Sequence, residues 1–325
     1  MPNNQDDLLL LDHADVARLL QPEMVSEAVR HAFALHAARQ GRVFPVIREA
    51  LATGGVFGIK AGDVPGEALL GFKAAGFWPA NRARGGEPHQ ATVMLIDPAT
   101  GRPRCLADGN LITTERTGAA GALGLALLAR PDSRTLCVFG TGVQARVQIK
   151  HALRVLPGIE HVTYLSSQGA AAPAFETALA DMGVAVRHAT DANRAVADAD
   201  VVITATPGRQ VLFDAAAVTP GTHVNAVGAD TRGKRELPEG LLAVATLVVD
   251  DLAQARSLGE AQWAPSVAAL ELGDLLIGGV AYTRRDAEIT VFDLTGLALQ
   301  DLTVGQALLR EAAAQGVGTC VPWHW

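Results

Sequence analysis

The sequence predicts an α/β protein in which a doubly wound parallel sheet is inserted into a second, α+β domain. Three observations lead there. The stretch from Thr135 to Ala145 runs four apolar strand-type residues, Leu136 to Phe139, into Gly140, Gly142 and Ala145, and then into a helical pattern with apolar Val143, Val147, Ile149 and Leu153. Beyond it, short β-branched segments alternate with helical ones. Before it, strand-like segments follow one another with Gly, Pro and Asp turns between them, and a helix near the end of the chain is placed to rejoin that first part.

The glycine turn has the strand–turn–helix context of a dinucleotide-binding βαβ unit with Ala in the third small position. Gly140 permits the tight turn, Gly142 lets a pyrophosphate approach the backbone, and Ala145 lets the helix sit close to the strand. Unpaired N–H groups at the helix start, with their partial positive charge, suit phosphate. Thr141, Val143 and Gln144 line this turn. A structural turn with no ligand is the plainer reading of the glycines alone.

In chain order, Leu8 to Leu11 reads as a strand that Asp12 could close. A helix begins at Pro22, a good first helical residue, carries Val25, Val29, Ala32, Phe33 and His36 on one face, and ends near Gly41. Strands are expected at 42–49, 56–61, 69–77, 91–96 and 104–107, making an antiparallel or mixed sheet. Thr114 to Ala129 reads as a helix of small residues whose Thr114–Thr117 form a polar entrance. The alternating part then has strands at 161–165, 184–187, 201–204, 223–227 and 246–249, with helices at 171–182 and 191–197. A strand at 288–292 and a helix at 297–314 complete the chain. The inserted dinucleotide-binding domain is bounded at 130–295, leaving 1–129 plus 296–325 for the other domain.

Composition narrows the function. A formal charge of −7 leaves no basic footprint for nucleic acid. The longest run of small and apolar residues, Gly118 to Ala129, falls short of the roughly 20 residues a membrane span needs, and the N-terminus lacks the pattern of a signal peptide. A cytoplasmic protein is expected, with no membrane partner and no metal. Cys105, Cys137 and Cys320 form no C-x-x-C pair, and Cys137 reads as a core residue of a strand.

Four further stretches accompany Gly140–Ala145 in order: Gly-Phe-Lys at 71–73 followed by Pro79 and Asn81, Thr-Glu-Arg-Thr-Gly-Ala at 114–119, Asn-Ala-Val-Gly-Ala-Asp at 225–230, and Phe-Asp-Leu-Thr-Gly-Leu-Ala at 292–298. With them the chain resembles, along nearly its whole length, the ornithine cyclodeaminase and mu-crystallin family. The resemblance implies a Rossmann domain for NAD(P), a first domain that binds substrate and forms a homodimer, and a small α-amino or α-imino acid bound between the domains. Implied activities are hydride transfer at the α-carbon, as in alanine dehydrogenation or pyrroline-2-carboxylate reduction, and, as alternatives, cyclodeamination of ornithine or ligand binding of the mu-crystallin type. A Rossmann oxidoreductase of another family is a further alternative.

Such chemistry needs a carboxylate clamp, a proton acceptor or donor near nitrogen, and a nicotinamide against the α-carbon. By family match, Arg48 and Arg116 are the clamp, Lys73 binds the carboxylate and polarises the reacting centre, Asp230 is the catalytic acid–base, and Lys234 is a second substrate lysine. Lys73 alternates with Phe72, so if Phe72 packs inward Lys73 faces the cleft. Thr92, Thr206, Val227 and Gly228 match coenzyme contacts, as does Arg116.

Two departures bear on selectivity. Lys60 stands where ornithine cyclodeaminases carry a glutamate for the distal amine, which disfavours a δ-ammonium and suits an uncharged or acidic side chain. After the strand at 161–165, Ser166, Ser167 and Gln168 replace the acid that usually holds the ribose hydroxyls of NAD, a slight lean toward NADP(H). The terminal Trp323, His324 and Trp325 suit either a dimer seam or a disordered end.

Overall fold

A computed structural model describes residues 7–323. Strand β1 (Asp7–Leu11) leads to Asp12, which does more than close it. The Asp12 carboxylate accepts from Asp15 N at 2.9 Å and Asp15 Oδ2 accepts from Asp12 N at 3.3 Å, a reciprocal cap that starts helix α1 (His13–Leu19). Helix α2 (Pro22–Ala37) follows, with Pro22 in its first turn and Val25, Val29, Ala32 and Phe33 wholly buried. The strand expected at 42–49 is two, β2 (Arg42–Val43) and β3 (Ile47–Ala50), because Pro45 between them has no N–H for the ladder.

Then come β4 (Val56–Val64), β5 (Leu69–Phe77), β6 (His89–Ile96), β7 (Pro103–Asp108) and helix α3 (Gly109–Leu128). The alternating region comprises β8 (Thr135–Phe139), α4 (Val143–Val155), β9 (His161–Leu165), α5 (Pro173–Leu179), β10 (Ala185–His188), α6 (Ala192–Ala197), β11 (Val201–Thr204), β12 (His223–Ala226), α7 (Leu241–Val244), β13 (Thr246–Val249), α8 (Leu252–Leu258), β14 (Ala269–Glu271), α9 (Leu272–Leu276) and β15 (Thr290–Asp293). Helix α10 (Ala298–Gln315) and strand β16 (Thr319–Pro322) end the described chain. Trp323 is half exposed and its carbonyl accepts from Arg102 at 2.6 Å, whereas His324 and Trp325 lie outside the described residues.

The chain divides into two compact units, 1–116 with 297–325, and 117–296. The first division falls inside α3, between Arg116 and Thr117, rather than at the end of that helix.

The outer unit is a mixed eight-stranded sheet in the order β16-β1-β7-β6-β5-β4-β2, with β3 also on β4. Its ladders are antiparallel except for β1 against β7. One face carries Val64, Leu69, Val93 and Leu95, all buried, and α10 lies against it. Gly62 and Gly71 make that approach possible: a Cβ on Gly62 would stand 3.3 Å from Leu299 Cδ2, and one on Gly71 would stand 2.9 Å from Leu302 Cδ2. The other face presents half-buried Phe57, Ile59, Phe72, Met94 and Leu106.

The inserted unit is a Rossmann sheet of eight strands in the order β10-β9-β8-β11-β12-β15-β13-β14, every ladder parallel. The order reverses at β8, so ligand space is expected outside the carboxyl ends of the strands there. Continuous apolar strands such as Val201–Ile203 and Leu247–Val249 are buried on both faces. The small residues of α3 serve packing: a Cβ on Gly121 would stand 2.1 Å from Gln148 Oε1 of α4, and one on Gly124 would stand 2.3 Å from the Phe292 ring of β15. Cys137 and Cys105 are core residues, and among the described residues no helix is long and apolar enough to cross a membrane.

Candidate active site

In the outer unit, the functional side chains gather where α10 covers the β4–β5–β6 face, and Arg116 of α3 reaches the residues of α10 there. Lys73, on β5, is 4 % exposed. Its Nζ donates to Asp301 Oδ1 at 2.9 Å and lies 2.9 Å from Oδ2. Arg116 donates from Nε to the same Oδ1 at 3.1 Å and from Nη1 to Gln300 Oε1 at 3.0 Å. Asp301 is wholly buried near the start of α10. Burial alone would raise its pKa, but Arg116, Lys73 and Lys60 outweigh burial and hold it below the ordinary carboxylate value.

Burial, then Arg116, lowers the Lys73 ammonium to about 7; Asp301 opposes that shift and Lys60 adds to it. His89, on β6, is lowered to about 4 by burial and by Lys73 and Arg116, and is therefore a neutral imidazole at neutral pH. Strand register fixes the other cations. Lys60 pairs with Lys73, and Arg48 pairs with Gly58, so Arg48, Lys60 and Lys73 share one face.

Two expectations are corrected here. Phe72 does not pack inward; it stands on the half-buried face, and Lys73 takes the side that α10 covers. Thr114–Thr117 are not a helix entrance either, because α3 already begins at Gly109 and Arg116 lies within it. Thr92 is exposed and pairs with Ala74, so it occupies the face opposite Lys73 and apart from the cation cluster.

In the inserted unit, Gly140 ends β8 with φ +110°, and a Cβ there would lie 2.6 Å from the Ala205 carbonyl. Only glycine fits both conditions. Thr141 leads to Gly142, which precedes α4 at an ordinary φ of −82° and whose absent Cβ points into open space. No side chain caps the helix, so the N–H groups of Val143, Gln144 and Ala145 have no side-chain partner there. Gln144 Oε1 is buried with no hydrogen-bond partner among the described residues, and Ala145 is fully buried. An uncapped helix start behind a glycine turn, with backbone N–H groups left to donate, fits a pyrophosphate.

The Ser166 hydroxyl after β9 donates to the Ala170 carbonyl at 2.5 Å and accepts from Ala170 N at 3.2 Å, which leaves Ser167 as the exposed hydroxyl there. At the ends of β11 and β12, Thr206 and Gly228 lie against Glu236, while Val227 N donates to the Thr204 carbonyl at 2.9 Å. Glu236 Oε1 accepts from Thr206 N at 2.9 Å and Thr206 Oγ1 at 2.6 Å, and a Cβ on Gly228 would sit 2.1 Å from Oε2. Burial raises the Glu236 pKa, while Thr206 and Lys234 oppose the rise. Asp230 follows β12; its Oδ1 accepts from Thr231 Oγ1 at 3.1 Å and lies 3.5 Å from Lys234 Nζ. Lys234 therefore stands beside the carboxylate of Asp230 in this unit, whereas Arg48, Lys73 and Arg116 are in the outer one.

Sequence reasoning missed Asp301, Gln300, His89 and Glu236. A signal for the first two was legible: Gln300 and Asp301 interrupt the apolar series Leu297, Ala298, Leu299, Leu302, Val304 of a buried helix, and a buried acid requires a cationic partner.

A family model described as "Ornithine cyclodeaminase/mu-crystallin family" matches residues 8–316. The chain belongs to this family. Its relatives include an iminosuccinate reductase from Paracoccus denitrificans, 35% identical over 316 residues, covering 95% of this chain and 98% of the relative. Among solved structures, an archaeal alanine dehydrogenase dimer with bound NAD superposes with a TM-score of 0.90 at 31% identity, covering 98% of this chain and 100% of that one. The Δ1-pyrroline-2-carboxylate reductase of Thermococcus litoralis, in complex with NADH and L-proline, gives a TM-score of 0.89 at 28% identity, covering 96% and 100%.

Proposed function

We propose that the protein is an NAD(P)-dependent oxidoreductase that transfers hydride at the α-carbon of a small amino or imino acid, with imine reduction as its main direction. The observation that carries this reading is the pair Lys73 and Arg116, both buried and both anchored on Asp301. Below about pH 7, where Lys73 is charged, two cations fixed against one acid keep net positive charge in a poorly solvated place, which an α-carboxylate can neutralise. The likeness to a reductase, a dehydrogenase and their nicotinamide complexes supports the same chemistry.

When bound, the nicotinamide would supply or accept the hydride. The chain supplies the rest. Gly140–Ala145 would hold the pyrophosphate, with Thr206, Val227 and Gly228 as further coenzyme contacts. Arg48, Arg116 and Lys73 would grip the carboxylate. Asp230, oriented by Thr231 and Lys234, would move the proton at the substrate nitrogen. Lys60 in register with Lys73 opposes a distal ammonium, so imine reduction is favoured over ornithine cyclodeamination.

The loop after β9 contains neither an acid to select NAD nor an arginine to select NADP, and the Ser166 hydroxyl is occupied. Weak discrimination between the two coenzymes follows. By likeness to the alanine dehydrogenase dimer we also propose a homodimer, with Phe57, Ile59, Phe72, Met94 and Leu106 as the apolar surface available to it.

The test is oxidation of NADH and NADPH with pyrroline-2-carboxylate, piperideine-2-carboxylate, and pyruvate with ammonia. Turnover of at least one is expected, and Asp230→Asn should keep coenzyme binding while losing about 100-fold or more in kcat. Wild-type rates in Asp230→Asn would remove Asp230 from the mechanism.

A pH profile follows from Lys73. Its pKa of about 7 means that the cation is present below that pH and lost above it, so kcat/KM for the imino acid should fall as pH rises through about 7. Lys73→Arg keeps its charge throughout and should abolish that limb. A limb unchanged in Lys73→Arg would assign the titration to another group.

A further inference from the structure

We infer that His89 is a specificity-determining residue of the same site, taking substrates whose side chain ends in an uncharged hydrogen-bonding group such as a hydroxyl. The inference rests on the reading of Lys73 and Arg116 as an α-carboxylate grip and names the side chains that the site admits.

Strand register sets the spacing. Lys73 pairs with Val93, Ala75 with Ala91 and Phe77 with His89, so these pairs are successive rungs on one face of the β5–β6 ladder. His89 therefore stands two rungs from Lys73, about 13 Å along the strands, a span that two side chains and a small substrate between them can bridge. Lys73, Arg116 and Asp301 all act electrostatically on its ring, so both ends of the span belong to one cluster.

The middle rung forms a low floor. Ala75 and Ala91 are small, Gly58 continues the rung on β4, and both alanines are half-buried where Lys73 is 4 % exposed. Helix α10 packs at the Lys73 rung and away from this floor: Leu299 and Leu302 lie against Gly62 and Gly71, and Gly305 against Val93 and Leu95. Helix α3 starts beside the floor, since a Cβ on Gly109 would stand 2.9 Å from Ala91 Cβ, and its next residue, Asn110, stands beside the His89 ring. Phe77, with the Arg82 guanidinium 5.7 Å from its ring centroid, pairs with His89 at the far end.

The state of the ring then decides what it can take. Burial, then Lys73 and Arg116, lower the His89 pKa to about 4, while Asn110 and Asp301 oppose the shift. A neutral imidazole has one N–H and one bare nitrogen; Asn110 can engage one of them, and a hydroxyl, which both donates and accepts, suits the other in either tautomer. Such a ring offers a carboxylate no counter-charge. An ammonium there is repelled by Arg116 and, below about pH 7, by Lys73.

The experiment compares two imines of matched shape, formed in place by condensing ammonia with hydroxypyruvate or with 2-oxobutyrate, each with loss of water. They differ in a hydroxyl against a methyl. Reduction moves a hydride from NADH or NADPH to the α-carbon and a proton to nitrogen, so coenzyme oxidation by the purified protein follows both. Wild type should favour the hydroxyl-bearing imine in kcat/KM by about tenfold or more. His89→Leu should lower that ratio at least about tenfold, and His89→Gln, which keeps a hydrogen-bonding group, should retain part of it. Comparing the ratio between variants cancels any difference in how readily the two imines form.

No preference for the hydroxyl in wild type, or a ratio that His89→Leu leaves unchanged, overturns the assignment of His89 and leaves the imino acid reading standing. Failure of wild type to oxidise either coenzyme with these imines or with pyrroline-2-carboxylate overturns that reading itself and the assignment with it. Thermal unfolding of both variants separates loss of selectivity from loss of fold.

Discussion

Asp301→Asn should lower the stability of the protein by about 3–5 kcal/mol, the usual cost of removing one partner from a buried ion pair. The carboxylate is wholly buried and accepts from both Lys73 and Arg116, so the amide leaves the Arg116 guanidinium without its counter-charge and removes the group that holds the proton on Lys73. Denaturant unfolding measures the loss, and Asp301→Asn combined with Lys73→Met should recover part of it, since the buried Lys73 nitrogen that has lost its acceptor is then gone.

The pH dependence has a definite sign. Asp301 is depressed in the folded state, so its stabilisation is present above the unfolded pKa and is lost as pH falls through the folded one. The variant should lack that acid-side loss. A variant as stable as wild type, with the same acid limb, would mean that solvent reaches the cluster and screens it.

Gly140→Ala and Gly142→Ala should behave differently although both lie in one turn. At Gly140 the new Cβ meets the Ala205 carbonyl at 2.6 Å on a backbone of φ +110°. Strain of about 1–3 kcal/mol, together with displacement of the loop after β11, should lower stability and abolish coenzyme binding. At Gly142 the Cβ enters open space at an ordinary φ, so stability should change by no more than about 0.5 kcal/mol while coenzyme affinity falls. Melting curves with and without NADH or NADPH distinguish the two. Equal binding by Gly142→Ala and wild type would show that no pyrophosphate reaches that backbone.

Much of the fold was legible because its cues are local. The turn at 140–145, the apolar strands at 201–204 and 246–249 and the Pro22 helix start each declare themselves within a few residues. Elements whose formation depends on partners far along the chain did not. The short strand β16 exists through pairing with β1, and α1 is read only when Asp12 and Asp15 are recognised as one reciprocal cap rather than as a strand end.

The site divided along the same line. Lys73 and Arg116 stood out through the resemblance of their motifs, yet the direction in which Lys73 faces depended on α10, more than two hundred positions later. Phe72 offered the wrong guide because an aromatic residue on a strand suggests a core, whereas here the helix covers the opposite face. Asp301 and Glu236 carried no motif. Their roles emerge from what buried acids must bond, and that is settled only when Thr206, Gly228, Lys73 and Arg116 have been brought to them.

The nested arrangement of the units also orders events during synthesis. The ribosome completes every strand of the inserted sheet by Asp293, before it has made α10. Until residue 301 emerges, Lys73 and Arg116 have no anionic anchor and the β4–β6 face lacks its covering helix, so the outer half remains a nascent, unsealed intermediate while the middle can already be finished. A chain cut short by stalling after position 296 would carry an intact set of Rossmann strands beside an exposed, charged and apolar sheet, a natural substrate for quality control.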